Sequence, residues 1–304
     1  MRPLACRLDP RMTHISLKLE SASAGRPNRG SIHPMVFSWA QEALAVLSGG
    51  AVGFSLGLIG GGGSILAVPL LLYVVDIGDP HVAIGTSALS VAANAFANLF
   101  GHWRAGNVKW SCAVTFAVAG VVGAAIGSTL GKLVDGQQLL FLFALAMIAV
   151  GVAMLRPRAA AGNPDVRMTG GIAIRLIAIG LVVGAVSGFF GIGGGFLIVP
   201  GLMLATGMPI LYAIGSSLFS VGSFGLTTAI NYALSGLIEW AIALLFIAGG
   251  VAGGYGGMRA AVSLAANRRS LTFVFAGIIF AVAAYMLART GIPPRLSMLM
   301  PTAW

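Results

Sequence analysis

Two glycine-rich runs, each followed along the chain by hydroxyl side chains, are the residues of this sequence best suited to bind a ligand. The first run spans Gly57 to Pro69 and the second spans Gly188 to Pro200. Each glycine costs about 0.8 to 1 kcal/mol relative to Ala in a helix interior, so neither run continues a straight helix. A helix that restarts after such a break presents unpaired N–H groups and the positive end of its dipole, which favours an anion.

The hydroxyl groups occur at matching places after each run. Ser87 and Ser90, like Ser217 and Ser220, are three residues apart, so each pair lies on one face of its helix. The sequence therefore predicts a substrate-binding site formed by Gly60, Gly61, Gly62, Gly63, Ser64, Thr86, Ser87, Gly191, Gly193, Gly194, Gly195, Ser216 and Ser217. The alternative is that these small residues let helices pack closely, and packing is the interpretation for Gly249-Gly250, Gly253-Gly254 and Gly256-Gly257.

The composition is that of an integral membrane protein. Hydrophobic residues make up 58% of the chain and charged residues 9%, and the mean hydropathy is +0.94. No Asp, Glu, Lys or Arg occurs in the 63 residues from Leu176 to Ile238, which is enough for roughly three crossings of a ~30 Å hydrocarbon core. The net charge of +10 comes from basic residues spread between apolar segments, so it indicates membrane topology rather than nucleic-acid binding.

An internal repeat divides the chain into two halves. Gly57 to Pro69 matches Gly188 to Pro200 at a separation of 131 residues, and Ala83 to Ser90 matches Ala213 to Ser220 at a separation of 130. The predicted organisation is a polar tail (1–34), a first transmembrane repeat (35–155), a polar linker (156–170), a second repeat (171–289) and a C-terminal tail (290–304). A duplication with interrupted apolar segments is typical of transporters whose site lies at the repeat interface.

The predicted fold is an all-α polytopic membrane protein, in which each half begins with a transmembrane helix broken at its glycine run. The short segments Ile65–Val75 and Phe196–Ala205 favour about eight crossings, with ten as the alternative. Eight crossings with the N-terminus inside place 14 Lys and Arg inside and 4 outside, and ten crossings from Met35 outside place 9 inside and 3 outside. Eight crossings make the halves parallel repeats, whereas ten make them inverted repeats.

Few polar groups interrupt the apolar segments. Asp76, Asp79, His81, His102, Arg104 and Lys109 are interpreted as solvated loop residues. Asn94, Asn98 and Asn231 lie within predicted spans, where they could line a path or join helices by hydrogen bonds. No acidic residue stands out as a buried proton relay, so the sequence does not specify the coupling ion.

At the duplicated glycine runs the chain resembles the TauE/SafE family of sulfite exporters and anion permeases. The resemblance rests on the two runs, on Ile84 to Ser87 with Ile214 to Ser217, and on His102, Gly106 and Val108 with Gly236 and Ile238, and it covers roughly Val36 to Ala288. It implies a transporter of the bacterial inner membrane that moves sulfite or another sulfur-containing anion. Ile192 interrupts the second run and Gly195 replaces Ser64, so the two half-sites are not equivalent.

The functional hypothesis is a multi-pass permease in the cell membrane that moves a small anion, most simply sulfite or an organosulfonate. The alternatives are an anion channel and a non-transporting membrane partner protein. An enzyme is not expected, because no catalytic triad, zinc motif or acid cluster falls inside a span. No cofactor, metal or nucleic acid is expected, the partners are the anion and the lipid bilayer, and the sequence leaves the oligomeric state open.

Overall fold

The computed structural model describes residues 38–155, 168–191, 195–263 and 268–290, which are mostly helical. A 3₁₀ helix, Gly60–Leu66, follows the first α-helix. Within the described residues the α-helices are α1 (Trp39–Ile59), α2 (Ala67–Tyr73), α3 (Pro80–Arg104), α4 (Trp110–Leu133), α5 (Gly136–Leu155), α6 (Gly170–Phe190), α7 (Gly195–Thr206), α8 (Ile210–Ala233), α9 (Trp240–Ser263) and α10 (Arg268–Thr290).

The prediction of an all-α polytopic membrane protein is confirmed. Six of the described helices, α1, α3, α4, α6, α8 and α9, are long and apolar enough to cross a membrane. The predicted tails and most of the predicted linker lie outside the described residues. The division of the chain into these domains therefore stays a prediction.

Polar caps fix the starts of two of these helices. At α1, the Ser38 hydroxyl accepts the Gln41 N–H at 3.3 Å while the Gln41 side-chain oxygen accepts the Ser38 N–H at 3.0 Å. At α3, the Asp79 carboxylate accepts the N–H of His81 at 2.7 Å, and Pro80 fills the first helical position. Both arrangements satisfy N–H groups that have no partner inside a helix.

The glycine runs reverse the direction of the chain. Gly60 ends α1 with φ +76°, a backbone conformation that only glycine adopts without strain. The 3₁₀ helix and α2 then run back along α1, because the Gln41 side-chain amide at the start of α1 donates to the carbonyl of Val75 just after α2 at 3.2 Å. The first run is therefore a hairpin between two antiparallel segments rather than an interruption of one helix that continues across the membrane.

The second half repeats this reversal. Gly191 ends α6 in the left-handed conformation with φ +67°. Residues 192–194 lie outside the described residues, and α7 begins at Gly195. Gly201 on α7 packs against Ile179 on α6, so α7 also runs back along the helix that precedes it.

Helices of one half pack on helices of the other half, and the pairing is symmetric. α1 packs against α9 and α4 packs against α6, and in both pairs the helices run parallel. α3 packs antiparallel to α8, since Gly85 contacts Tyr232 while Gly222 contacts Phe96. α5 likewise packs on α10 and the 3₁₀ helix on α7. Each pair joins one half to the other, so the described residues from Ser38 onwards belong to one compact unit.

The alternation of these directions agrees with the ten-passage alternative. The preference for about eight crossings depended on a helix that continues through each glycine run, and both runs instead turn the chain back. Each half then makes an odd number of passages, which places the second half upside down relative to the first. The halves are therefore arranged as inverted repeats.

Glycines set the closest helix crossings. The α-carbons of Gly49 and Gly53 on α1 lie against the backbone of Phe246 and Gly250 on α9, and Gly253 lies against the backbone of Gly50. The same contacts recur between α4 and α6, where Gly184 lies against Gly120. The packing role predicted for the glycine pairs of α9 is confirmed at Gly249, Gly253 and Gly257, each of which faces the backbone of α1.

Candidate functional site

Each glycine break packs on the motif helix of the opposite half. Gly60 lies against Ile214, the residue that opens the Ile-Gly-Ser-Ser sequence of α8. Gly191 lies against Ile84, which opens the Ile-Gly-Thr-Ser sequence of α3. The two sequence motifs therefore meet in space, but each break pairs with the motif from the other half of the chain.

The first meeting point is the Lys109 cluster, which we define as Gly60 to Ser64, Ile214 to Ser217 and Lys109. Ser216 accepts the backbone N–H of Lys109, the N-cap residue of α4, at 2.9 Å. Ser217 donates to the carbonyl of Ile214 in its own helix at 2.8 Å. Ser64, Ser216 and Ser217 are fully buried. Gly61 and Gly62, like the other residues from Gly60 to Ser64, lie in the 3₁₀ helix that leads into α2.

The second meeting point is the Glu239 cluster, which we define as Gly191, Ile84 to Ser87 and Glu239. Thr86 accepts the backbone N–H of Glu239 at 3.0 Å, just before α9 begins. Ser87 donates to the carbonyl of Ile84 at 2.8 Å and approaches the carbonyl of Gly191 at 3.4 Å. Gly193 and Gly194 lie outside the described residues, and Gly195 is the first residue of α7.

The two clusters lie at opposite ends of the helix bundle. Ile84 and Ile214 are both in the first turns of long antiparallel helices, α3 and α8. At 1.5 Å per residue, most of the length of such a helix separates them, which is about 25 Å. The expectation of one site at the repeat interface built from both breaks is therefore not met, because the structure divides the predicted residues into two separate groups.

Most of the hydroxyl groups in these clusters already have structural partners. Ser87 and Ser217 donate within their own helices, a bond that satisfies the hydroxyl hydrogen. Thr86 and Ser216 accept a backbone N–H, and no donation by either hydroxyl is seen among the described residues. A hydroxyl can donate while it accepts, so Thr86 and Ser216 are the two that retain a hydrogen for a ligand.

Equivalent positions of the two clusters carry opposite charges. Lys109 and Glu239 are related by the 130-residue repeat, and the backbone N–H of each is held by the matching hydroxyl. The ammonium group of Lys109 lies 4.7 Å from the centre of the Tyr212 ring, in the first turn of α8. The Lys109 cluster therefore carries a positive side chain at the position where the Glu239 cluster carries a negative one.

The same asymmetry extends over the two ends of the bundle. Arg104, Arg175 and Arg259 accompany Lys109 at its end, where the described residues include no acidic side chain. The acidic residues that the structure describes, Glu42, Asp76, Asp79, Asp135 and Glu239, all lie at the other end, with Lys132 and Arg289. An anion is attracted to the Lys109 end and repelled from the Glu239 end.

The sequence placed His102 in a loop, and this prediction is wrong. His102 lies in the last turn of α3 and is only 5% exposed. It follows Asn94 and Asn98 at intervals of four residues, so the three side chains lie on one face of α3. The i, i+4, i+8 spacing is the signal in the sequence for this face, but the apolar segment that begins at Val82 ends at Gly101, whereas α3 continues to Arg104.

Asn231, the third asparagine within a predicted span, joins helices. Its side-chain amide donates to Ser128 at 2.7 Å, and its side-chain oxygen accepts from the Lys132 ammonium at 2.7 Å. Lys132 also donates to Ser235 at 2.9 Å. This network connects the end of α4 to the end of α8, so Asn231 has a structural role at the Glu239 end.

The sequence profile of the sulfite exporter TauE/SafE family matches residues 45–286 of this chain. A protein of Xylella fastidiosa strain 9a5c, named probable membrane transporter protein, is 54% identical over 244 residues, which cover 80% of this chain and 94% of the relative. The probable membrane transporter protein YunE of Bacillus subtilis is 30% identical over 233 residues, covering 68% of this chain and 83% of the relative. The comparison with solved structures gave no match.

Proposed function

This chain belongs to the sulfite exporter TauE/SafE family of membrane transporters, and we propose that it carries a small sulfur-containing anion, sulfite or an organosulfonate, across the cell membrane. The observation that carries the choice of an anion is the Lys109 cluster. There, a helix break and a buried serine that retains a hydroxyl hydrogen lie beside a lysine, at a bundle end whose described charges are all positive.

The Lys109 cluster is the proposed binding site for the anion on one side of the membrane. Ser216 supplies a neutral hydrogen-bond donor and Lys109 supplies long-range attraction. Such a site holds a charge of either one or two without requiring a buried counter-ion, which would cost several kcal/mol to desolvate. The Glu239 cluster is the corresponding position on the other side, where Glu239 lowers the affinity and favours release or weaker binding.

The charge distribution also favours one orientation. Lys and Arg accumulate on the cytoplasmic side of membrane proteins, and Arg104, Lys109, Arg175 and Arg259 share one end. The proposed orientation therefore places the Lys109 end in the cytoplasm. The direction of net transport is set by the gradients across the membrane and not by this orientation.

The test is exchange of radiolabelled sulfite by purified protein in liposomes, with sulfate, taurine and sulfoacetate as competitors. Saturable exchange that is accelerated by unlabelled sulfite on the opposite side indicates a carrier, whereas flux without such acceleration indicates a channel. Complete absence of exchange with each of the sulfur anions would reject this substrate class.

Two variants that remove a charge at equivalent positions of the repeat test whether the anion binds at the Lys109 cluster. Lys109→Gln removes the positive charge of the Lys109 cluster, and we expect about a fivefold rise in the sulfite concentration for half-maximal exchange, which corresponds to about 1 kcal/mol for a nearby charge in largely aqueous surroundings. Glu239→Gln is the matched control, and it is expected to leave this value unchanged or to lower it. An equal loss of affinity in both variants would contradict the assignment to the Lys109 cluster.

A further inference from the structure

A row of buried polar groups on α3 has no role in the clusters described above. Asn94, Asn98 and His102 lie on one face of this helix and are 0%, 5% and 5% exposed. Within the described residues, neither polar atom of the Asn94 amide makes a hydrogen bond. The His102 ring lies near the Gly57 backbone, and in the part of the chain that the structure describes its nitrogens make no hydrogen bond of good geometry. Unpaired polar groups in a membrane interior are costly and mark functional positions.

The row fits into notches made by glycines on two neighbouring helices. The Asn94 amide lies directly over Gly250 on α9, and the Asn98 amide lies over Gly254 on α9 and beside Gly57 on α1. One turn further along, Gly101 contacts Met258. α1, α3 and α9 run in the same direction, so His102 lies where the carbonyl-rich ends of these helices gather. Such carbonyl groups are acceptors for the two N–H groups of an imidazolium ion.

The second half builds the same junction without a proton-binding group. The positions equivalent to Asn94, Asn98 and His102 are Phe224, Thr228 and Tyr232. Phe224 fills the notch over Gly120 on α4, as Asn94 does over Gly250. Neither Thr nor Tyr takes up a proton near neutral pH, whereas His does. In the described part of the chain, buried hydroxyl groups without a partner therefore occur at Thr228 and Tyr232 as well, and the feature of the first half alone is the histidine, the one side chain of the two rows that can take up a proton near neutral pH.

A cavity lies beside Asn98 at the Lys109 end, between α3 and α9. It has a volume of about 260 Å³ and is lined by Ala97, Asn98, Phe100, Gly101, Arg104, Val251, Tyr255 and Met258. This volume is ample for several water molecules, and Asn98 supplies a polar wall. His102 does not line the cavity itself and lies one helical turn, about 5.4 Å, from Asn98 along α3, so water held against Asn98 would be about one turn from the imidazole.

Among the described residues, no acidic side chain competes for that proton. The charged groups near His102 are Arg104 on α3 itself, Lys109 in the following loop and Arg259 on α9, and they lie against the rings of Phe100, Tyr212 and Tyr255 respectively. On α1 the acidic residue is Glu42, at the opposite end of the helix, and the other titratable groups on the packed faces are Tyr212 and Tyr255. His102 is therefore the group at this junction whose ordinary pKa lies nearest to neutral pH.

We propose that His102, which shares one face of α3 with Asn94 and Asn98, is a proton-binding site that couples proton movement to anion transport. This inference depends on the proposed function. Gly57, beside the row, precedes Gly60 by one helical turn, so a proton on His102 places a positive charge next to the break of the Lys109 cluster. Anion and proton then bind cooperatively, and by linkage each increases the affinity for the other.

The first experiment compares two modes of sulfite transport in liposomes for His102→Gln. Exchange at equal pH on both sides requires no net proton movement, so the variant is expected to retain it. Net uptake is then measured at a fixed external pH of about 6.5 and an internal pH of about 6.5 or about 8, which keeps the ionisation of external sulfite constant. The unmodified protein is expected to accumulate up to about tenfold more sulfite per pH unit for one proton per anion, and the variant is expected to lose this response.

The matched control is His81→Gln, which replaces a histidine in the first turn of the same helix, at the Glu239 end. It is expected to keep the response to the pH gradient. A His102→Gln variant that still responds as the unmodified protein does would overturn the proposal. Absence of exchange by the unmodified protein would instead count against the proposed function.

The second experiment measures protonation directly and remains informative if His102→Gln fails to fold. The chain has 4 histidines, so full-length protein labelled with ¹⁵N-histidine in detergent gives few ring signals, and comparison with single histidine variants assigns them. The pH is varied from about 5 to about 8, and the His102 signal is expected to change with pH and to show a larger protonated fraction when sulfite is added. A His102 signal that does not change over this range would overturn the proposal.

Discussion

At the scale of single residues, the glycines of this chain perform two different tasks that the sequence does not separate. Gly60 and Gly191 adopt positive φ angles and reverse the chain, whereas Gly53 and Gly253 let two helix backbones meet. Both tasks require the absence of a Cβ atom, so the sequence shows Gly in both cases. Only the backbone angle and the neighbouring atoms distinguish a turn glycine from a packing glycine.

Gly60→Ala tests this distinction against a control with a similar positive φ. Gly106 has φ +73° and no atom within 4 Å of the position that a Cβ atom would take, whereas a Cβ atom on Gly60 would lie 2.8 Å from the Ile214 side chain. Gly106→Ala is expected to lower the free energy of unfolding by about 1 kcal/mol, which is the cost of the positive φ for Ala. Gly60→Ala is expected to lower it by at least about 1 kcal/mol more than Gly106→Ala does, because its Cβ atom overpacks against Ile214. The measurement is the free energy of unfolding in detergent.

A second change separates the two contributions at Gly60. Ile214→Ala removes the side-chain atoms that a Cβ at Gly60 would meet, so the double variant Gly60→Ala/Ile214→Ala is expected to be more stable than the sum of the single effects. Strict additivity would show that the break and the motif helix do not touch, contrary to the contact that defines the Lys109 cluster.

At the scale of helices, the sequence predicts well where helices occur and how long they are, but it predicts poorly which way each helix runs. The apolar segments Trp110–Gly131 and Ile210–Ala233 of the sequence end within two residues of the ends of α4 and α8, because a long apolar run leaves little choice of boundary. The reversal at Gly60 was not predicted, since a glycine run is compatible with both a kinked helix and a hairpin. What decides between them is the bond from Gln41 to Val75, which joins residues 34 apart.

The crossing of α1 and α9 gives a test at this scale with a control on the same helix. A Cβ atom on Gly253 would enter the backbone of Gly50, whereas a Cβ atom on Gly256 would meet only the Phe54 ring edge at 3.8 Å. Gly253→Ala is therefore expected to force the helices apart and to cost about 1 to 3 kcal/mol. Gly256→Ala is expected to be neutral or slightly stabilising, because Ala has the higher helix propensity.

The readout for this pair is the free energy of unfolding together with sulfite exchange. Asn94 and Asn98 lie over the neighbouring glycines of α9, so a widened crossing is also expected to weaken the response to the pH gradient. Equal stability of Gly253→Ala and Gly256→Ala would show that the two helices do not approach as closely as the structure indicates.

At the scale of the whole molecule, the inverted arrangement explains why the two halves can be similar in sequence and different in charge. Equivalent positions such as Lys109 and Glu239 face opposite sides of the membrane, so the positive-inside bias acts on one and not on the other. The sequence repeat alone could not show this, because the counts of Lys and Arg favoured eight crossings or ten according to whether the N-terminal tail was included.

Membrane sidedness of two equivalent loop residues distinguishes the inverted arrangement from a parallel one. Ala105 and Ser235 are related by the 130-residue repeat, both are exposed, and they follow α3 and α8, which are antiparallel. With the native cysteines replaced, Ala105→Cys and Ser235→Cys are made separately, and intact cells are treated with a maleimide that does not cross the membrane. Inverted repeats predict that Ser235→Cys is modified from outside and that Ala105→Cys is modified only after the cells are opened. Modification of both from the same side would require parallel halves, and the reversed pattern would place Lys109 outside the cell, where its cluster would bind the anion.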